Sequence, residues 1–195
     1  EITLGKEMIR TPVDDAIGYI KKTVIGDVMN IKKVRVDKEG TGMGWGAVYA
    51  QYLESMDQIG EQGNGLSVSR QLYKGDEALN ESAPLKVGDK ITVRLTVKAD
   101  RDMDFVQIKD DRAACMEPLQ AVSGFRWSNG LGYYQATKDA STQFFIDQMR
   151  KGTYVIEYQV YVNRTGEYQA GIATVQSAYA PEFGGHTGGY RVMVE

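Results

Sequence analysis

Hydrophobic and polar residues alternate with a period of two along much of this chain. In "ITVRLTVK", Ile91, Val93, Leu95 and Val97 fall on one side, and Thr92, Arg94, Thr96 and Lys98 on the other. Successive side chains of a strand point to opposite faces, so the pattern predicts a half-buried strand with one wet face. "TYVIEYQVYVN" repeats it, with Tyr154, Ile156, Tyr158, Val160 and Val162 on the inner face, and "YRVMV" does so through Tyr190, Val192 and Val194. Less regular stretches, "IKKVRV", "WGAVYAQYL", "LSVSRQLY", "DFVQIKD" and "GIATVQSAYA", read as further strands.

Turn signals separate these runs: "KEGTG", "EQGNG", "KVGDK", "SNGLG", "RKG" and "NRTGE". The four prolines avoid the strongest strands, which leaves their ladders unbroken. Helical signals are confined to "TPVDDAIGYIKK" and a short turn in "DASTQFFIDQM". The pattern predicts an all-β chain with antiparallel pairing, built as a β-sandwich.

The strands fall into two groups. "ESMDQIGEQGNG" is polar, rich in glycine in its second half, and lies between them. Residues 1–54 are too short and uneven to close a sandwich alone, whereas residues 66–195 supply enough strands for a complete one. The expected organisation is a partial β domain over 1–54, a linker over 55–65 and a sandwich over 66–195. The chain opens at Glu1 directly in strand-like sequence, which reads as a mature segment of something longer.

Composition changes this picture little. A length of 195 residues and 42% hydrophobic content suffice for a sizeable core. A net charge of −3 offers no electrostatic footprint for nucleic acid, and no apolar run approaches the ~20 residues that span a bilayer. The single cysteine, Cys115, excludes an intramolecular disulfide framework and a cysteine-based zinc cluster.

Several residues bear chemistry on paper. Gly60-Glu61-Gln62 would belong to an internal thioester if a cysteine preceded it, because the sulfur must reach the glutamine carbonyl across a two-residue spacer. Ile59 stands there instead, so the stretch reads as a glycine-rich turn. Cys115, in "DDRAACMEP", lacks a neighbouring base and reads as a small buried apolar residue. His186, in "FGGHTGGY", lacks a histidine or cysteine partner for a metal and reads as a residue of a mobile surface loop. A cysteine hydrolase would need Cys115 and His186 within hydrogen-bond reach in a cleft.

The pairs Asp14-Asp15 and Asp110-Asp111 cannot converge for acid/base work, because neighbours on a strand face opposite ways. Solvated edges or turn caps are the expectation for both. Asn163-Arg164-Thr165 fits a glycosylation sequon within an apparent hairpin turn. Twelve tyrosines and two tryptophans, clustered in "FRW", "GYY" and "EYQVY", suit cross-strand packing. An alternative use is a carbohydrate- or surface-binding face, which calls for exposed coplanar rings. No catalytic, cofactor-binding or metal-ligating residue is assigned, and no cofactor is expected.

From Trp45 onward the chain resembles the C-terminal end of bacterial alpha-2-macroglobulin-like proteins. The stretches that carry the resemblance are "WGAVYAQYLESMDQI", "LKVGDKITVRLTVKADRDMDFVQIKDDRAACMEP" and the run from "SGFRWSNGLGYYQ" to "YAPEF". Earlier, "ITLGK" and "GYIKKT" resemble strands that follow the helical thioester domain of that family. The resemblance implies that residues 1–54 are the second half of a split CUB-type β domain, and that residues 66–195 are the final macroglobulin-type sandwich. It further implies a non-enzymatic part of a protease inhibitor or trap, held at the periplasmic or cell-surface side by a lipoprotein anchor outside this chain. Its partners would be the upstream domains of the same polypeptide and, through the full-length parent, proteases; neither nucleic acid nor direct membrane insertion is implied. On this reading the face of residues 1–54 that meets the other half should carry an apolar patch.

Overall fold

The computed structural model describes residues 2–4, 7–9, 21, 23–25, 31, 33–37, 40–49, 51–80 and 83–195. Contacts divide the chain into two compact units, Glu1–Gln51 and Tyr52–Glu195.

The first unit holds a three-stranded antiparallel sheet of β1 (Ile2–Leu4), β2 (Glu7–Ile9) and β3 (Val34–Val36), in the order β2-β1-β3. Ile2 stands opposite both Ile9 and Val36. The helix expected over "TPVDDAIGYIKK", with Asp14 and Asp15, lies outside the described residues apart from Lys21, which is in no regular element. "WGAVYAQYL" is not a strand over its described residues. A strand needs a ladder partner for its backbone groups, and none pairs with this stretch among the described residues. Trp45, Val48, Tyr49, Tyr52 and Leu53 are all exposed, Trp45 by 90%.

The second unit begins with a 3-10 turn at Met56–Gln58. One layer of its sandwich holds β5 (Leu66–Lys74), β7 (Lys90–Ala99), β13 (Gly152–Val162) and β9 (Met116–Pro118), paired in that order, with the short β6 (Glu77–Ala78) on β5. Pro118 falls at the end of the edge strand, where its missing N–H breaks no inner ladder. The other layer holds β10 (Gly124–Ser128), β11 (Leu131–Thr137), β12 (Ser141–Met149), β8 (Met103–Asp111), β15 (Ala173–Ser177) and β16 (Gly184–His186), again in pairing order. β4 (Gln62–Asn64) bridges the layers at a corner, pairing with β16 on one side and β5 on the other. A separate ribbon pairs β14 (Gly166–Ala170) with β17 (Tyr190–Val194).

The alternation in the sequence becomes the core. Ile91, Val93, Leu95 and Val97 of β7 point inward with Ile156, Tyr158, Val160 and Val162 of β13. Val106 and Ile108 of β8 and Phe144 and Ile146 of β12 face them from the other layer. Burying each of these aliphatic or aromatic side chains contributes about 1.5–3 kcal/mol. Phe144 and Tyr158 meet across the layers with ring centroids 5.9 Å apart.

Three expectations change. "DASTQFFIDQM" contains the strand β12, not a helical turn: Thr142, Phe144 and Ile146 alternate inward and both edges are paired, by β11 and β8. "NRTGE" is not a hairpin turn, because β13 and β14 belong to different sheets. Within residues 55–65, read as a linker, the 3-10 turn and β4 are both built into the second unit.

The "SNGLG" signal does form a tight hairpin. Ser128 pairs with Leu131, which leaves Asn129 and Gly130 as a two-residue loop with φ of +50° and +77°. Positive φ at both positions is the type I′ geometry that asparagine-glycine tolerates.

Candidate functional site

The most elaborate side-chain chemistry lies between the layers. Arg70 of β5 is in phase with Leu66 and Val68, and Asp110 of β8 is in phase with Val106 and Ile108, so both point inward. They form an ion pair with almost no solvent contact, the Arg70 Nη1 donating to Asp110 Oδ1. The Tyr158 hydroxyl donates to the other carboxylate oxygen at 2.7 Å. Arg70 Nη2 donates to the Gly171 carbonyl at 2.6 Å, and the guanidinium lies 4.6 Å from the centroid of the Tyr190 ring.

Electrostatics agrees with this geometry. Burial, the largest single influence, pulls the Arg70 guanidinium down, but the Asp110 charge and hydrogen bond together with Tyr190 and Tyr158 outweigh it and the net shift is upward. Burial and then the Asp110 charge push the Tyr158 phenol well above its usual range. Burial raises Tyr190 to about 12, against the opposing pull of Arg70. Arg70 therefore stays charged and the Tyr158 and Tyr190 phenols stay protonated near neutral pH. Its role is to tie β5, β8 and β13 together in one register. Desolvation offsets much of the attraction in such a pair, so its clearest signature is the cost of breaking it.

Asp110 thus departs from the expected solvated edge, although its neighbour Asp111 faces outward and pairs with Lys109 at 2.9 Å. Parity along each strand already places Arg70, Asp110 and Tyr158 on inner faces. That phase, read across three strands, was the available signal for the cluster. A second buried arginine, Arg112, donates to Thr142 Oγ1 at 2.6 Å and to the carbonyls of Lys138 and Asp139, tying down the β11–β12 turn.

The residues singled out for reactivity are not assembled. Cys115 is fully buried in the hydrophobic core, and burial raises its thiol pKa, so the thiolate is disfavoured. His186 sits in β16, its Nδ1 3.1 Å from the Thr187 carbonyl oxygen. Gly184 and Gly185 belong with it to this paired strand, in place of the loop expected, while Gly188 and Gly189 lie in the connection between β16 and β17. A Cβ at Gly185 would lie 2.7 Å from the carbonyl oxygens of both Gln62 and Leu66, so glycine is required where three backbones crowd at the corner. Gln62, the would-be acyl donor, is an exposed member of β4 opposite His186. Asn163 donates to Glu117 at 3.3 Å, and its backbone amide bonds the Cys115 carbonyl. No group of three or more metal-ligating side chains occurs among the described residues.

The aromatic clusters divide by parity. Tyr133 and Phe144 pack inward, 5.7 Å apart. Phe125, Tyr134 and Phe145 face outward as a cross-strand row over β10, β11 and β12, with Trp127 beside them on β10. Phe125 is 82% exposed, and it meets Tyr134 edge-on, at 76° and 5.1 Å. Perpendicular rings do not make the flat platform that stacks a sugar ring. A shallow groove runs alongside, lined by Trp127, Leu131, Tyr154, Asp104, Asp147 and Arg150 among others.

Residues 65–182, more than half of the chain, match the family described as the Bacterial Alpha-2-macroglobulin MG10 domain. A Salmonella alpha-2-macroglobulin mutant superposes with a TM-score of 0.60 at 19% identity, covering 70% of this chain and 10% of that one. Escherichia coli alpha-2-macroglobulin spanning domain MG7 to the C-terminus superposes with a TM-score of 0.58 at 17% identity, covering 69% of this chain and 24% of that one. The same protein activated by porcine elastase gives 0.60 at 16%, over 70% and 14% respectively. Among curated sequences, Circularly permutated Ras protein 2 of Dictyostelium discoideum is 28% identical over 166 residues, 82% of this chain but 4% of that protein. The chain thus spans a small part of each of these relatives. The family match runs across most of the paired, all-β sandwich and over more than half of the sequence, so this chain belongs to the bacterial alpha-2-macroglobulin MG10 domain family.

Proposed function

We propose that this chain is a non-catalytic structural module of a bacterial alpha-2-macroglobulin-like protease trap. In this reading the sandwich packs against upstream domains of the same polypeptide, including a helical thioester-type domain, and moves when an attacking protease cuts the parent. The observation that carries it is the family match over residues 65–182, with Cys115 buried and Ile59 in the place where a thioester cysteine would precede Gly60-Glu61-Gln62. Matched E. coli structures captured after activation by porcine elastase and by trypsin support the protease connection.

Residues 1–54 take the part of the second half of a split CUB-type β domain. The exposed Trp45, Val48, Tyr49, Tyr52 and Leu53 support this, because such side chains favour a covering partner and the upstream half would supply it. The parent acts in the periplasm or at the cell surface, anchored by a lipoprotein N-terminus outside this chain. No helix among the described residues is long and apolar enough to cross a membrane.

The test uses the full-length parent. Treated with elastase or trypsin, it should change its native-gel mobility and leave the protease active on small peptides but blocked on large proteins. A parent lacking residues 66–195 should lose the mobility change. Unhindered cleavage of large substrates by the treated mixture would overturn the trap reading, and an unaltered response without residues 66–195 would overturn the structural role.

A further inference from the structure

The chain passes into the sandwich through Tyr52–Glu61, and part of this passage is fastened to the C-terminal ribbon. The 3-10 turn at Met56–Gln58 is closed by the Gln58 amide on the Ser55 carbonyl at 2.9 Å. The Gly189 amide donates to the Ile59 carbonyl at 3.2 Å. The approach is so close that a Cβ at Gly189 would overlap the Met56 carbonyl oxygen, and one at Gly188 would lie 3.1 Å from the Ile59 oxygen. Arg191 of β17 completes the fastening. Its Nε and Nη2 donate to Asp57 Oδ2 at 3.0 and 2.9 Å, while Nη1 donates to Glu167 of β14 at 2.7 Å.

The chemistry of this contact is that of a weak, reversible joint. The turn buries no residue, so hydrophobic area contributes little to holding it. The Asp57 side chain is largely covered, but that of Arg191 is more than half exposed, and an ion pair open to water on one side contributes modestly. A few residues later the chain is anchored very differently. β4 is backbone-paired to both β16 and β5, at the corner where Gly185 admits no side chain. A firm anchor therefore follows a weak one along the same strand of chain.

We propose that Ser55–Ile59 is a releasable latch on the β14–β17 ribbon, whose opening frees Tyr52–Glu61 without unfolding the sandwich. Once free, Tyr52–Glu61 reaches at most ~35 Å, with β4 still in place. Gly188, Gly189, Arg191 and Asp57 are the latch's working parts, which gives the "TGGYR" sequence a reason separate from the sandwich core. The latch rests on contacts within this chain and is independent of the protease-trap reading.

Hydrogen exchange read by mass spectrometry on the intact chain tests it. In the wild type, peptides covering 55–59 should exchange faster than those from β7, β8 and β13 but more slowly than free chain. Gly189→Val should remove that protection by about tenfold or more, and Asp57→Asn or Arg191→Gln by about two- to fivefold. Core peptides should keep their rates in the two surface variants. If Gly189→Val fails to fold, those two variants decide the matter alone. The latch is refuted if wild-type residues 55–59 exchange as free chain, if Asp57→Asn and Arg191→Gln leave them unchanged, or if the core opens together with them.

Discussion

Two regions of the molecule use similar residues to opposite ends. In β7 and β13 the apolar side chains are sealed, Ile91, Leu95 and Ile156 having no exposed surface at all. In the stretch from Trp45 to Leu53 the same kinds of residue stand in solvent, Leu53 completely. Hydrophobicity is comparable in the two regions, so it does not by itself select burial. The difference is the partner. β7 has β5 and β13 on its edges and a second layer against its face, whereas Trp45–Leu53 has no ladder partner among the described residues. Hydrogen-bonded edges and a facing layer must both exist before an apolar row can leave water.

The sharpest way to break this comparison is inside the sandwich. Phe144→Ala should cost about 3–5 kcal/mol of stability in chemical denaturation, because the rigid surroundings cannot close the cavity. Arg70→Leu should cost a similar ~3–5 kcal/mol by leaving Asp110 buried and unpaired, and Asp110→Leu in the same chain should recover much of it. A loss below about 1 kcal/mol for either single variant would mean that the sealed core is not what holds this unit.

A smaller effect should appear at high pH. Tyr190 has an ordinary value of 10.0 and about 12 in the folded chain. A raised folded pKa means that its contribution is intact below pH 10 and is lost as pH climbs through 12. Denaturation midpoints should therefore fall across that window, by an amount on the order of 2 kcal/mol. Tyr190→Phe should flatten part of the decline. Tyr158 moves in the same direction and is expected to supply the rest.

Smaller again is the hairpin at Asn129–Gly130. Gly130→Val forces a β-branched residue into positive φ and should cost about 1–2 kcal/mol, with the loss confined to β10 and β11 in hydrogen exchange. At the bottom of the scale, Trp45→Ser and Leu53→Ser should each change stability by less than about 0.5 kcal/mol, since neither side chain is buried here. A large loss from either would show that this stretch is as sealed as β7 and would remove the contrast.

Legibility followed the same divide. The inward rows of β7 and β13 were plain, because both strands sit in mid-layer with one wet face and their alternation is clean. β12 was harder, since Ser141 and Thr142 are both buried and Asp147 and Gln148 both exposed, which blurs the period. The short strands β9, β14 and β16 carry too few residues for any period to emerge. "WGAVYAQYL" is one of the less regular stretches that read as strands, but a sequence pattern does not provide a neighbour. At the corner, glycines that suggested mobility proved to be spacers for a close backbone approach.

The sequence by itself determined the all-β class, the inner and outer faces of the long strands, the turn at "SNGLG" and the absence of a cysteine before Gly60-Glu61-Gln62. These are local properties, set by neighbours along the chain and by the side-chain chemistry of single residues. Only the tertiary structure decided that Arg70, Asp110 and Tyr158 meet, since they are contributed by three strands from two layers. It alone joined Asp57 to Arg191, which lie more than a hundred residues apart, and turned a presumed linker into part of the second unit. Such contacts depend on how strands are ordered and stacked, and strand order is not encoded in the period of any one of them.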